Sequence, residues 1–251
     1  KTIGMLYSNM TLVALLFVVS AMPASATEDQ AIASIVDGKV HVYVKGSKTG
    51  SLLKKNDVLA KNQEVRVGEA SRVELRFPDG TVMRFAGGSV VKMEDLSFDS
   101  TSKNKKVKVD MGGGKLWANV KKLLTPDSKV EVKTVNAVAG VRGTVYRVNV
   151  DNDNSAMVKV YDGSVYVDGK QQGGPKAQAP SGPPVPVAGP HEVPPPHHEV
   201  SMEEWHIIVK SFQQVTISPQ GVASQPQDFD AKQDRDDWVK WNQERDRQLG
   251  L

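Results

Sequence analysis

From Ala31 to about Gly169 the chain is a succession of short apolar-polar stretches punctuated by Gly, Asp and Asn. Val73-Glu74-Leu75-Arg76-Phe77 and Thr81-Val82-Met83-Arg84-Phe85 both alternate. That is the period of a strand with one face in a core and the other in water. Pro78-Asp79-Gly80 stands between them, where proline fixes one dihedral and glycine accepts a positive φ. The spacing predicts a hairpin. Similar alternation recurs over 40–44, 107–110, 130–133, 145–150, 157–161 and 164–167, punctuated by Asp-Gly steps at 37–38, 79–80, 162–163 and 168–169. These intervals are unequal, which argues against a long regular solenoid. The expected fold over residues 31–170 is all-β, a roll or sandwich with some coiling like a short β-helix.

The alternation stops after Lys170. Residues 171–200 are rich in proline and glycine and poor in large apolar side chains, so they predict an extended, partly polyproline II linker. Residues 201–251 predict a small helical extension. Ser201 and Glu204 form a capping box that opens a helix over about 202–212, with Trp205, Ile208, Val209 and Phe212 at mostly helical spacings. Gln214–Ile217 reads as one strand. A second helix is expected over about 229–249, acidic at its front and carrying Arg245 and Arg247 at its back, as the helix dipole favours. Trp238 and Trp241 share a face with Arg245. That face either packs on the β-domain or forms a patch for a partner.

At the other end, Met10–Met22 carries no charge. This run falls short of the roughly 20 residues a membrane-spanning helix needs. Pro23 and the small-x-small step Ala24-Ser25-Ala26 follow it. Residues 1–26 are therefore expected to be a signal peptide cleaved near Ala26, leaving a periplasmic, secreted or cell-surface chain that is not stably inserted in a membrane. The alternative is an uncleaved anchor.

Composition narrows the chemistry. The absence of cysteine excludes thiolate metal sites, cysteine nucleophiles, disulfides and a lipid-bearing cysteine, so an ordinary core must hold the fold. Residues 27–170 carry 24 Lys and Arg against 18 Asp and Glu, whereas residues 171–251 carry 7 against 11. A basic body and an acidic tail can mark a polyanion surface. Here the excess is dispersed, and its densest spot, Lys103–Lys108, reads as the solvated start of a strand. Nucleic acid is not an expected partner; a weak surface for anionic glycan or lipid headgroups stays open. His191, His197 and His198 stand beside Glu192 and Glu199 and are weak metal candidates. Nothing among the surrounding prolines would orient their imidazoles, so no metal site and no cofactor is expected. His206 is read as an ordinary, partly buried residue of the first helix. There is no G-x-S-x-G elbow, phosphate-binding glycine loop or H-E-x-x-H helix, and Met111-Gly112-Gly113-Gly114 introduces a strand rather than a helix. Catalysis is not expected.

Four elements carry a resemblance. They are Phe77-Pro78-Asp79-Gly80-Thr81-Val82, Gly114-Lys115-Leu116-Trp117-Ala118, the run from Thr134 to Val148 with Arg142-Gly143-Thr144 inside it, and Tyr161-Asp162-Gly163-Ser164-Val165. In this order they resemble the FecR-type domain, over about residues 35–170. The resemblance singles out Asp79, Gly80, Gly140, Arg142, Gly143, Thr144, Asp162 and Gly163 as motif positions. Their expected role is structural. Ala137, Ala139 and Gly140 would keep the chain slim between packed layers, Gly143 would permit a bend or close approach, and Arg142 would donate to carbonyls left unpaired there. The alternative makes Arg142 a ligand for an anion or carboxylate. The family's best-known members are inner-membrane regulators with a cytoplasmic sigma-factor-binding segment, one span and a periplasmic domain. Only about ten residues precede the apolar run here. The expectation is therefore the exported module alone, a non-catalytic binding or scaffold unit engaging an envelope protein or glycan. A diverged periplasmic component of a FecR-type signalling pathway is the first alternative, and a glycan-active enzyme with an unrecognised site is the second.

Overall fold

The computed structural model of the chain describes residues 29–170 and 204–251. The alternating stretches form strands. In chain order they are β1 (Gln30–Asp37), β2 (Val40–Val44), β3 (Ser51–Leu52), β4 (Val58–Ala60) and β5 (Gln63–Val67). The expected hairpin follows as β6 (Arg72–Arg76) and β7 (Val82–Phe85), then β8 (Val90–Phe98) and the 15-residue β9 (Lys105–Asn119). Next come β10 (Lys129–Lys133), β11 (Ala137–Val141), β12 (Val145–Val150), β13 (Ala156–Asp162) and β14 (Ser164–Lys170). After residue 203 come β15 (Glu204–Lys210), β16 (Gln213–Ile217), β17 (Gln227–Asp228) and a single described helix, α1 (Asp237–Leu249). The fold is all-β with one helix at its C-terminal end.

Two sheets share β9. The first runs β4-β1-β6-β7-β9-β12-β13-β16-β17. The second runs β3-β2-β5-β8-β9-β10-β11-β14-β15. Among the described strands, only β9 and β10 pair in parallel. In β9, Gly113 still pairs with Val90 of the second sheet, while Gly114 pairs with Val150 of the first. Gly114 makes that crossing possible. Its φ is +94°, and a Cβ there would stand 2.5 Å from the Ser89 Cα. Strands that change sheets through such bends form the corners of a sandwich.

Three further corners stack on one another. The chain changes sheets between β11 and β12 through Arg142-Gly143-Thr144, between β13 and β14 at Gly163, and between β15 and β16 at Ser211-Phe212. Thr144 Oγ1 donates to the Ser164 carbonyl (2.9 Å) and Ser211 Oγ to the Gly163 carbonyl (3.1 Å). Gly143 has φ +80°, and a Cβ there would lie 2.9 Å from the Lys122 Cα. The expected close approach is therefore the packing of one corner on a neighbouring loop.

Between the sheets lies one apolar core. Val73, Leu75, Met83, Phe85, Leu116, Tyr146, Val148, Val158 and Val160 face it from the first sheet. Val65, Val91, Met93, Val109, Val132, Ala139, Val165 and Val209 meet them from the second. Gly140 differs from the expectation: a Cβ there would meet only the Tyr166 carbonyl, at 3.8 Å, so it sits on the outer face rather than between packed layers.

The extension also differs. Glu204–Lys210 is strand β15, not part of a helix over 202–212, and pairs residue for residue with β14. The β-branched Ile207-Ile208-Val209 favours strand, and β14 offers an open edge that satisfies its backbone. His206 accordingly stands on an exposed strand face, its Nδ1 2.7 Å from an Asp168 oxygen. The last helix begins at Asp237 rather than 229, because Asp236 caps it by accepting from Val239 N (2.7 Å). The expected signal peptide at 1–26, the linker at 171–200 and its His191, His197 and His198 lie outside the described residues.

Neighbouring glycines give a sharp test of the β9 crossing. Gly114→Ala combines a strained φ with a backbone clash and is expected to cost about 3 kcal/mol. Gly113→Ala, which meets nothing within 4 Å, is expected to change stability by less than about 1 kcal/mol. Denaturant unfolding of both variants checks this; equal losses would refute the assigned role of Gly114.

Candidate functional site

The period-2 pattern that fills the core also creates an outer row on the first sheet. Glu74 opposes Arg84, Arg84 opposes Trp117, Trp117 opposes Arg147, and Arg147 opposes Lys159. Alternation assigns such positions to water. Yet Glu74 and Arg84 are fully buried, Trp117 is 1% exposed and Arg147 4%. What covers them is the C-terminal segment.

Two clamps hold it. In the first, Arg84 Nε donates to Glu74 Oε2 (2.7 Å) and its Nη1 to Asp246 Oδ1 (2.7 Å). Asp246 Oδ2 accepts from the Trp117 indole (3.0 Å). Glu74 also accepts from Ser34 Oγ (2.6 Å) and from Arg245, whose Nε and Nη2 lie 3.0 and 3.2 Å from its two oxygens. In the second clamp, Asp234 takes Arg147 Nη2 (3.0 Å), Lys159 Nζ (3.2 Å) and the Tyr161 hydroxyl (2.5 Å). Asp236 adds a contact to Arg147 Nη1 (3.4 Å) while capping α1. Aromatic rings close the gap between the clamps. Tyr161 lies 4.6 Å from the Trp117 ring and meets Phe229 edge-on at 5.5 Å, and Lys159 sits 4.9 Å over Phe229.

The inward stripe of α1 is Val239, Asn242 and Asp246, at helical spacings of three and four. Trp238, Trp241 and Arg245 flank it, half-buried. The two indoles stack at 5.4 Å, and the Arg72 guanidinium lies 4.6 Å over Trp241. The structure thus places all three candidate partner residues in contact with the β-domain or with one another.

Electrostatics follow the burial. Desolvation pushes the Glu74 carboxyl up, but hydrogen bonds from Arg245, Ser34 and Arg84 together outweigh it and hold the group below the ordinary carboxylate value. Burial, reinforced by the bond to Asp234, drives the Tyr161 hydroxyl far up, so it stays protonated and can only donate there.

The motif positions serve the frame around this site. Asp79 caps its own turn through Thr81 N and Oγ1 and pairs with the buried Lys105 ammonium, which burial lowers and Asp79 raises, to a net value below the ordinary lysine range. Gly80 takes φ +83° in the β6–β7 turn. Arg142 is exposed and donates to the Thr125 carbonyl (3.3 Å), bracing the loop before β10. Asp162 and Gly163 form the β13–β14 corner. None of these residues lines the ladder.

These features define a β-sandwich whose charged outer face is closed by its own C-terminal segment. Residues 63–166, from β5 into β14, match the family model described as FecR protein. The ladder from Glu74 to Lys159 lies inside that span and the segment that covers it lies outside. Two crystal structures described as a putative anti-sigma factor from Parabacteroides distasonis ATCC 8503, at 1.65 and 2.50 Å, are similar at 19% and 18% identity with TM-scores of 0.45 and 0.44. The likeness covers 67% of this chain and 61% of each of those chains, so this chain spans under two thirds of their length. No curated protein matches.

Two measurements probe the clamps. Asp246→Ala removes one of the two carboxylates that neutralise the buried Arg84, strands Trp117 Nε1 beneath the helix and is expected to cost about 3 kcal/mol, a fall in melting temperature of about 6–12 °C. A melting curve like that of the unsubstituted chain would show that α1 is not held this way. For Glu74, a lowered pKa means stability present above its unfolded value of about 4.5 and lost as pH falls through the folded value. Glu74→Gln should therefore melt with a shallower pH dependence than the unsubstituted chain below pH 4.5. Parallel curves would rule out the pairing.

Proposed function

We propose that this chain is a non-catalytic binding and scaffold module of the cell envelope, exported and of FecR-domain type, which engages an envelope protein or glycan. The ladder carries this reading. Arg84 and Arg245 balance Glu74 and Asp246, while Arg147 and Lys159 balance Asp234 and Asp236. Ionisable groups consumed in neutral, mostly buried pairs hold a polypeptide segment in place; they do not stand ready to exchange protons with a substrate. The uncharged run over 10–22 and the Ala24-Ser25-Ala26 step support export.

A second reading, a periplasmic component of a FecR-type signalling pathway, is favoured by the domain match over residues 63–166. Expressed with residues 1–26, the chain is expected in the soluble periplasmic fraction with Thr27 as its first residue. Membrane-bound chain that keeps the apolar run would overturn cleavage and favour the signalling component. Incubated with peptidoglycan or anionic glycans, the purified chain is expected to leave them chemically unchanged by mass spectrometry; released fragments would sink the non-catalytic reading.

A further inference from the structure

At the end of the sandwich formed by the β6–β7 turn, the β8–β9 turn and the loop after β9 lies a groove of about 410 Å³. Its walls are Pro78, Phe98 and the buried Leu123, and its rim carries Lys103, Lys121 and Lys122. Two carboxylates also line it, and both are engaged. Asp79 pairs with Lys105, and Asp99 accepts from Thr101 N, Ser102 N and Ser102 Oγ within its own turn while also feeling the charge of Lys103. The three rim lysines form no ion pair among the described residues. Asp127, further along the loop, lines a neighbouring groove instead. Beside the lysines stands Leu124, 75% exposed, the most exposed large apolar side chain among the described residues. The Arg142 bond to the Thr125 carbonyl fixes the loop behind it.

We propose that this end of the sandwich docks on an anionic lipid surface, with Lys103, Lys121 and Lys122 among the headgroups and Leu124 inserted below them. A soluble anion would satisfy the lysines and leave Leu124 in water. A lipid surface uses both, since the phosphates attract the ammonium groups while the acyl boundary takes up the leucine. The inference stands apart from the partner reading above, so either can fail without the other.

The test uses the chain from Thr27, which contains every described residue and lacks the apolar run of 10–22 that would itself enter lipid. It is mixed at low salt with phosphatidylcholine vesicles, neutral or containing about a third phosphatidylglycerol, and the bound fraction is read by co-sedimentation. Binding to the anionic vesicles is expected to be at least about tenfold tighter. Lys121→Glu with Lys122→Glu should abolish that difference, and Leu124→Asp should weaken binding about tenfold. Leu124→Ser serves if the aspartate variant does not fold, and thermal melting establishes folding for each. Equal binding to both vesicles, or unchanged binding by the folded Leu124 variant, overturns the proposal. So does loss of binding on adding millimolar inorganic phosphate at constant ionic strength, which would identify a site for a soluble anion instead.

Discussion

The Arg84 guanidinium, fully buried between sheet and helix, is the group on which the surrounding architecture depends. Withdrawing such an ion from water costs several kcal/mol unless counter-charges accompany it. One counter-charge, Glu74, comes from the adjacent strand; the other, Asp246, comes from 162 residues further along the chain. The second clamp repeats the arrangement with Arg147 and Asp234. Without residues 229–249 the face would present Arg84, Arg147 and Lys159 against Glu74 alone. The C-terminal segment is therefore not an appendage. It neutralises the domain's outer face, and strands β15 to β17 that precede it complete both sheets.

The ladder in turn depends on the crossing of β9. Five residues from five strands can form one row only if every register is correct, and a one-residue slip would send Arg84 or Trp117 into the apolar core. Trp117 reaches the centre of that row because β9 leaves the second sheet at Gly114 and presents Leu116 and Ala118 inward. The close contact of Gly114 with Ser89 fixes where the crossing occurs. Backbone geometry at one glycine thus determines which side chains meet Asp246, about 130 residues later.

Much of this frame is legible in the sequence. Alternation finds the β6–β7 hairpin, and Pro78-Asp79-Gly80 finds its turn. Arg142-Gly143-Thr144 is legible as a bend because Gly143 requires a positive φ. The ladder is harder to see, because the same alternation assigns Glu74, Arg84 and Arg147 to solvent. Period alone does not reveal that a second layer covers an outer face. On α1, attention to Trp238 and Trp241 passes over the true stripe, two of whose three members are polar. Over 205–212, Trp205, Ile208, Val209 and Phe212 match helical spacing as well as 206–209 matches strand; over so short a run the open edge of β14 decides. The available signal for the site was the division of charge between a basic body and an acidic tail.

That division acquires a different meaning in the folded chain. An excess of lysine and arginine over residues 27–170 suggests a surface for polyanions, but Arg84, Arg147 and Lys159 are committed to Asp246, Asp234 and Asp236. The acidic tail is the polyanion that face was built for. Apolar side chains of similar volume could close the interface with equal or greater stability, so stability alone does not account for the charges. Direction does. Apolar packing tolerates sliding of a helix along a sheet, whereas Asp246 shared between a guanidinium and an indole, with Asp234 shared among three donors, leaves one register. Once those cations are subtracted, Lys103, Lys121 and Lys122 stand out because none of them forms an ion pair among the described residues, Asp99 reaching Lys103 only through its field. They lie at an end of the sandwich where the chain also exposes Leu124. The internal pairing of one set of charges is what makes the unpaired set readable.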